Sequence, residues 1–236
     1  MIERATDAIR FNEIVNHPDV LPHVCGPLEG PLDFTPLVQD RNNVVLMGEH
    51  GAIMFHCHQR GLYEAHTQVV PEGRGRWALA FAREALRWMF IRTDAMEIIT
   101  RVAVGNLAAL ALTRACHFQP VVTMKGGWPV KGGAVDCGVH NLLIQDWIGR
   151  ERSLRERGEW FLRHWSNPAI RDEQAMGLAY EMLLHGQAQK SAIFLSRWSA
   201  ITGSRVPVEC LSQKPPRLMI GKDCVVVRGD KSFIVF

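Results

Sequence analysis

The chain has 236 residues and 47% of them are hydrophobic, which is enough apolar material for one elaborated domain or two small ones. Its 27 basic and 24 acidic residues give a net charge of +3, too small to favour nucleic acid as a partner. No run approaches the ~20 apolar residues of a membrane helix, and the segment from Met1 to Arg4 lacks the basic and then apolar start of a secretion signal. We therefore expect a cytoplasmic protein without membrane contacts.

The six cysteines are scattered, without a Cys-x-x-Cys pair. This spacing favours reduced, mostly buried thiols over a disulfide framework. His56 and His58 would share one face of a strand, but the sequence offers no third ligand beside them, and a zinc site needs three or four. The sequence therefore predicts no metal site.

The first third of the chain indicates a mostly β region. Period-two alternation of apolar side chains marks the strands, and apolar residues at helical spacing mark one helix. In chain order the predicted elements are a strand at 2–4, a helix from 6 or 7 to 16, a proline- and glycine-rich loop at 17–36, and strands at 43–47, 52–58 and 62–70.

A segment rich in glycine and arginine, residues 71–76, separates the strand at 62–70 from a helix predicted at 77–90. Proline removes a ladder donor and glycine permits unusual dihedral angles, so the segment predicts a turn. A helix start leaves about four N–H groups unpaired and carries a partial positive charge. The segment therefore suits an anion-binding loop, although a surface turn with two solvated arginines fits the same residues.

A second strand and helix follow, at 95–104 and 106–116, and then two strands of a hairpin at 121–125 and 134–139. Residues 70–76 read Val-Pro-Glu-Gly-Arg-Gly-Arg, and residues 106–118 run from Asn106 through Ala109 to Phe118. In this order, the two motifs resemble the phosphate loop and the later helix of the GCN5-related N-acetyltransferase (GNAT) superfamily. The chain is similar in a general way to members encoded by tailed bacteriophages.

Several residues depart from the family pattern. Trp77 and Leu79 occupy the two late glycine-like positions of the loop, where glycine lets a helix approach a pyrophosphate closely. Thr113 stands where the family often has the tyrosine that protonates the departing thiolate, and His117 replaces the usual glycine before the phenylalanine. These changes bear on the catalytic residues more than on the fold.

The resemblance implies an α/β (α+β) fold, with a mixed, mostly antiparallel central sheet flanked by helices, and acetyl-CoA as cofactor. It implies that two neighbouring strands separate, so that main-chain nitrogens ahead of Trp77 face an anion-sized space. The cofactor-binding residues that it implies are Gln68, Val69 and Val70 for the pantetheine arm, Gly73, Arg74, Gly75, Arg76 and Trp77 for the pyrophosphate, and Asn106 for a further contact with the arm.

Glu64 and His66 share one face of the strand and are candidates for the base that takes the proton of an amine acceptor. Thr113 is the candidate for the acid. The alternative for Glu64 and His66, that they are polar residues lining a groove, stays open.

The second half of the chain differs in character. The change begins at Asn141, and apolar residues recur at helical spacing over 144–165, 170–185 and 188–198, with four tryptophans that we expect to pack between helices or to form a docking face. Short strands are predicted at 217–220, 224–228 and 232–236. The sequence therefore predicts a GNAT-like domain at 1–140 and, at 141–236, a helical region that ends in a small β-ribbon.

Two functions stay open from the sequence. One is an acetyl-CoA-dependent N-acyltransferase with an unidentified amine acceptor. The other is a catalytically degenerate protein of the same fold that serves a virion or another assembly, with a partner or a second copy bound through the C-terminal region. If it is phage-encoded, we expect it in the host cytoplasm or the virion. The arginines at 150–163 alternate with glutamates, which is typical of a solvated helix face and not of a nucleic-acid footprint.

Overall fold

The structure is a computed structural model that describes residues 2–24 and 26–148, single positions between 179 and 194, and four strands between 208 and 235. The chain divides into two compact units. One consists of Met1–Trp88 and Ala95–Leu143, and the other of Met89–Asp94 and Ile144–Phe236. Within the described residues, no helix is long and apolar enough to span a membrane.

A seven-stranded sheet forms the centre of the first unit. Its strands are β1 (Glu3–Arg4), β2 (Val44–Gly48), β3 (Gly51–Gln59), β4 (Leu62–Val69), β5 (Glu97–Ala103), β6 (Gln119–Val130) and β7 (Gly133–Leu143). They lie in the order β1-β2-β3-β4-β5-β7-β6, and all neighbours are antiparallel except the parallel pair β4 and β5. The predicted fold class, a mostly antiparallel sheet flanked by helices, is confirmed.

Helices cover both faces of this sheet. They are α1 (Ile9–Val15), α2 (Leu21–Val24), α3 (Thr35–Gln39), α4 (Arg76–Arg92) and α5 (Leu107–Ala115). On one face, Phe11 and Val15 of α1 pack in a cluster with Met47 and Met54. Alternate strand residues point to the opposite face, where Phe55 lines a cavity together with residues of α4 and α5. Because both faces are covered, all five residues of β2 are buried.

The hairpin of β6 and β7 is longer than predicted. β7 pairs along the whole of β5, from Ala103 opposite Cys137 to Glu97 opposite Leu143. Residues 141–143, which the sequence assigns to the helical second half, therefore continue the strand. The next helix, α6 (Ile144–Ile148), begins directly after it.

The second unit contains α6 and a four-stranded antiparallel sheet. The strands are β8 (Val208–Leu211), β9 (Arg217–Ile220), β10 (Asp223–Val227) and β11 (Phe233–Val235), in the order β11-β10-β9-β8. Three of them match the predicted strands to within one residue at either end. The sequence did not predict β8, because a four-residue segment after Pro207 shows too little alternation to stand out.

Trp147 of α6 is buried and stacks on Phe90, with the ring centroids 5.1 Å apart. Lys190 is also buried, and its Nζ donates to Phe90 O at 2.7 Å and to Thr93 O at 2.6 Å. Burial lowers the pKa of Lys190 to about 7. The other tryptophans of this half, Trp160, Trp165 and Trp198, lie outside the described residues, as do most residues of the helices predicted at 149–198.

Candidate active site

Strands β4 and β5 pair at one end and separate at the other. They are partners over three residue pairs, Leu62 with Glu97, Tyr63 with Ile98 and Glu64 with Ile99. Beyond these pairs the main chain of β5 continues with β7, and Thr100 Oγ1 donates a hydrogen bond to Ala65 O at 3.1 Å. The implied separation of two neighbouring strands is therefore present. Its vertex, where β4 and β5 separate, lies at Glu64.

The main chain of β4 directs polar groups into the space that β5 leaves. Val70 N–H donates to His50 O at 3.0 Å on the β3 side, whereas Ala65 O accepts its hydrogen bond on the β5 side. Successive strand residues direct their N–H and C=O groups to opposite neighbours. Thr67 and Val69 therefore direct these groups into the space beyond the vertex.

Gln68 and Val70, which the resemblance places with Val69 on the pantetheine arm, direct their main-chain groups toward β3 by the same alternation. The side chain of Gln68 is buried. In the amide orientation that satisfies both side-chain atoms, its nitrogen donates to Ala52 O at 3.3 Å and to His66 O at 3.0 Å. Gln68 thus supports the strand, and Val69 is the residue of the three whose main chain faces the groove.

A cavity lies on the α4 and α5 side of the vertex. It is partly open to solvent, and the space in it that water-sized spheres can occupy is about 40 Å³. Ala65 and Thr100 line it at the vertex, Leu86 lines it on α4, and Thr113 lines it on α5. Trp77 is not one of the residues that line this cavity.

A 3-10 turn, Pro71–Gly73, precedes α4. Gly73 N–H donates to Val70 O at 3.0 Å, and Arg74 N–H donates to Pro71 O at 3.2 Å. The resemblance assigns these two amides to the pyrophosphate. Both amides already close the turn, so in this structure they are not free to bind a phosphate group.

The start of α4 offers other amides. Its first main-chain hydrogen bond runs from Leu79 N–H to Gly75 O at 3.2 Å. The N–H groups of Arg76, Trp77 and Ala78 therefore have no intrahelical partner. Gly75 has a φ of +85°, which glycine adopts without strain, and this conformation redirects the chain from the turn into the helix.

The indole of Trp77 packs away from these amides. It stacks on Phe81 with centroids 4.8 Å apart and meets the His50 ring edge-on at 5.3 Å. A Cβ at Gly48 would lie 2.9 Å from Trp77 Cζ2, and one at Gly73 would lie 3.0 Å from Trp77 Cε3. Two glycines thus make room for the indole beside the sheet, so the tryptophan at a glycine-like position leaves the helix start accessible.

Two arginines flank the helix start. Arg74 is exposed, and its Nη2 donates to Asp19 O at 3.0 Å. Arg76 is also exposed and is the first residue of α4, whose first turn contains no acidic residue. Positive charge at a helix N-terminus adds to the helix dipole instead of opposing it, so this end of α4 favours an anion.

Four ionisable side chains meet at the vertex on the opposite face of the sheet. We call Glu64, His58, His66 and Arg101 the Glu64 cluster. Glu64 is 2% exposed; its Oε2 accepts from His58 Nε2 at 2.7 Å and its Oε1 accepts from Arg101 Nε at 2.7 Å. His66 Nε2 lies 3.6 Å from Glu64 Oε1.

The charge states follow from these contacts. Burial raises the pKa of Glu64, but the hydrogen bonds from Arg101 and His58 outweigh it and hold the pKa below its ordinary value. Burial lowers the pKa of His66 by more than the neighbouring Glu64 carboxylate raises it. At neutral pH Glu64 is therefore a carboxylate, and His66 is a neutral imidazole.

Asn43 fixes the ring of His56, the other histidine of β3. Its Nδ2 donates to Leu37 O at 3.0 Å, and its Oδ1 accepts from Cys57 N–H at 3.1 Å. The same oxygen lies 3.0 Å from His56 Nδ1, so this nitrogen carries the hydrogen. The ring of His56 then meets that of His58 edge-on, with centroids 5.1 Å apart.

The sequence identified Glu64 and His66 but missed His58 and Arg101 as their partners. Both left a signal. Arg101 is the single basic residue in the otherwise mostly apolar segment 97–103, and His58 belongs to a pair of histidines at alternate positions. Parallel pairing of β4 with β5 brings Arg101 beside Glu64, and this pairing is not visible in a single sequence.

The two α5 residues with assigned roles differ in their surroundings. Asn106 is the N-cap of α5, and its Oδ1 accepts from Ala109 N–H at 3.1 Å. Its side-chain oxygen therefore caps the start of the helix. Thr113 is 7% exposed and lines the cavity, where burial raises the pKa of the neighbouring Cys116 thiol to about 11. Cys116 is consequently a buried thiol and not a nucleophile.

Within the described part of the chain, no group of three or more His, Cys, Asp or Glu side chains could hold a metal ion. A comparison of the sequence with models of protein families gave no match, and a comparison with curated proteins gave none either.

Solved structures, in contrast, resemble this one. A spermidine N-acetyltransferase from Vibrio cholerae, in complex with CoA and spermine, matches with a TM-score of 0.54 and 16% identity over 63% of this chain and 97% of its own. A ribosomal-protein-alanine N-acetyltransferase from Brucella melitensis matches with a TM-score of 0.53 and 21% identity over 61% of this chain and 99% of its own. The chain therefore has the fold of these N-acetyltransferases.

Proposed function

We propose that this protein is an acetyl-CoA-dependent N-acyltransferase that acts on an amine in the cytoplasm. The observation that carries the proposal is the separation of β4 and β5, with main-chain groups of β4 directed into the gap and the Glu64 cluster at its vertex. Two solved structures with this fold are N-acetyltransferases, and one of them contains CoA.

The residues along the gap fit the parts of acetyl-CoA. The free amides of Arg76 to Ala78 and the guanidinium groups of Arg74 and Arg76 bind the pyrophosphate through charge-assisted hydrogen bonds. Thr67 and Val69 pair with the amide groups of the pantetheine arm, as a sheet edge pairs with an added strand. This arrangement brings the thioester to the vertex.

The transfer then needs two proton steps. A base on the Glu64 face takes a proton from the acceptor's ammonium group, and the freed nitrogen attacks the thioester carbonyl carbon. Thr113 lies on the α5 side of the vertex and gives its hydroxyl proton to the sulfur as the C–S bond breaks, and the second proton that the nitrogen loses restores the hydroxyl. Glu64 orients the cluster and is a weak base, because both of its oxygens accept short hydrogen bonds.

Titration calorimetry with acetyl-CoA tests this function. We expect binding in the micromolar range that is lost when Arg74→Ala and Arg76→Ala are combined. Arg41→Ala is the matched control, since Arg41 is an exposed arginine in a turn ahead of β2. If the unaltered protein shows no binding, the catalytic function is excluded while the fold stands.

A second candidate function rests on the sheet edge. Strand β6 exposes Val121 by 58%, Val122 by 54% and Met124 by 44%. An exposed apolar edge strand is a template for pairing with another chain. In this candidate the protein is a degenerate member of the fold that serves as a structural part of a virion or another assembly. Absent acetyl-CoA binding, together with a sedimenting oligomer that Val122→Lys dissociates, would favour it.

A further inference from the structure

An irregularity in β3 places His58 at the vertex. The pairing of β3 with β4 steps from Cys57 opposite Tyr63 to Gln59 opposite Leu62, so His58 is the extra residue of a β-bulge. A bulge leaves its extra residue outside the ladder and re-aims the side chain. His58 thereby meets Glu64, the last β4 residue that pairs with β5.

Glu64 decides which nitrogen of His58 carries the hydrogen. An ionised carboxylate only accepts hydrogen bonds, so the 2.7 Å contact between His58 Nε2 and Glu64 Oε2 requires a hydrogen on Nε2. The neutral ring then has its lone pair on Nδ1. Within residues 2–24 and 26–148, no group hydrogen-bonds Nδ1, and the His58 side chain is 37% exposed.

Neighbouring residues hold this arrangement in place. Arg101 donates to the other oxygen of Glu64, which keeps the carboxylate ionised and fixed. The ring of His56, itself held by Asn43, meets the ring of His58 edge-on. These contacts therefore fix both the orientation of the His58 ring and the position of the lone pair on Nδ1.

We propose that His58 is the general base of the acyl transfer, with Glu64 and Arg101 as positioning residues; this inference rests on the function proposed above. His58 Nδ1 takes one proton from the ammonium group of a primary amine and later releases it to solvent. The neutral nitrogen attacks the carbonyl carbon, a C–N bond forms, and the C–S bond breaks with its electron pair on sulfur. The second proton lost by the nitrogen is balanced by the proton that the thiolate gains.

The geometry favours His58 over the two bases that the sequence suggests. Protonated His58 would face the Glu64 carboxylate at hydrogen-bond distance, so its positive charge is stabilised where it forms. His66 lies 3.6 Å from that carboxylate and is disfavoured as a cation by burial. Glu64 already accepts two short hydrogen bonds and, at 2% exposure, offers almost no surface to an ammonium group.

The test compares two kinds of amine with acetyl-CoA at saturation and measures the release of CoA thiol. Spermidine and a peptide with N-terminal alanine are protonated at neutral pH and need a base before attack. Hydroxylamine is largely unprotonated at neutral pH and needs no base before attack.

For His58→Gln we expect kcat/KM with the protonated amines to fall about 100-fold or more, with recovery as the pH rises. The rate of transfer to hydroxylamine and the Kd of acetyl-CoA should change by less than about 3-fold, because neither step needs a base. His66→Gln is the comparison variant.

The other outcomes are distinct. Equal losses with both kinds of amine would give His58 a positioning role only and overturn the proposal, as would an unchanged rate or a larger effect in His66→Gln. Transfer to hydroxylamine without transfer to either protonated amine in the unaltered protein would overturn it too. Failure of acetyl-CoA to bind the unaltered protein would instead remove the function on which the proposal rests.

Discussion

Arg101 Nε donates a hydrogen bond to Glu64 Oε1 at 2.7 Å, which ties β5 to β4 just past the point where their main chains stop pairing. The contact spans the vertex on one face of the sheet, while Thr100 Oγ1 spans it on the other by its bond to Ala65 O. Side chains thus replace the missing ladder bonds. The gap can remain open beyond them without loss of order at the vertex.

Replacement of Arg101 by methionine tests this tie. Glu64 would stay buried with one partner fewer, and we expect the free energy of unfolding to fall by about 1–2 kcal/mol, because Arg101 is 42% exposed and water screens part of the interaction. Urea denaturation measures the change. Lys125→Met is the matched control, since it breaks an ion pair with Asp136 in which Lys125 is 86% exposed, and we expect no measurable effect. Equal losses in both variants would contradict the account.

The pH dependence of stability tests the charge states. Because the folded-state pKa of Glu64 is below its ordinary value of 4.5, its contribution is complete above that pH and is lost as the pH falls through the folded pKa. The folded pKa of His66 is below its ordinary value of 6.5, so stability also declines as the pH falls below 6.5.

Urea midpoints measured from neutral to acidic pH separate the two groups. We expect Glu64→Gln to flatten the decline below 4.5 and His66→Gln to flatten the one that starts at 6.5. Glu13→Gln, at an exposed glutamate of α1, is the control and should follow the unaltered protein. Parallel curves for all three variants would show that the cluster does not set the titration.

Gly73 is packed too closely against its neighbours to accept a larger side chain. A Cβ there would lie 2.5 Å from His50 Cβ and 2.9 Å from Val69 Cγ1. We expect Gly73→Ala to destabilise the protein by about 1–3 kcal/mol and to weaken acetyl-CoA binding, because the turn and Trp77 must shift. At Gly105 a Cβ would meet nothing within 4 Å, so Gly105→Ala should be near neutral. Thermal denaturation and calorimetry of both variants check this.

Thr113→Val replaces the hydroxyl in the cavity with a methyl group of similar shape. If Thr113 protonates the thiolate, kcat should fall about 100-fold while the Kd of acetyl-CoA stays unchanged. Thr123→Val, at an exposed position of β6, is the control. An unchanged kcat in Thr113→Val would mean that another group or water supplies the proton.

Most helices and strands of the first unit could be predicted from the sequence, because their apolar residues recur with a clear strand or helix period. Alternation located β3 and β4, and the helical spacing after Gly75 located α4. The end of β7 was not accessible in this way, because Asn141 to Leu143 join the strand through pairing with β5, a long-range contact.

Only part of the candidate site could be predicted from the sequence. Glu64 and His66 share a strand, so their common face follows from local periodicity. His58 reaches Glu64 through a bulge, and Arg101 reaches it through parallel pairing. Neither feature has a local signature. The sequence also did not show that Gly48 and Gly73, 25 residues apart, make room for the indole of Trp77.

The central claim is that the gap beyond the vertex binds acetyl-CoA through main-chain amides. Amide chemical-shift mapping with CoA and acetyl-CoA tests it most directly. We predict the largest changes at the N–H groups of Thr67, Val69, Arg76, Trp77 and Ala78, with little change in β1 or β6. Absent changes at saturating ligand, or changes confined to residues away from β4 and the start of α4, would contradict it.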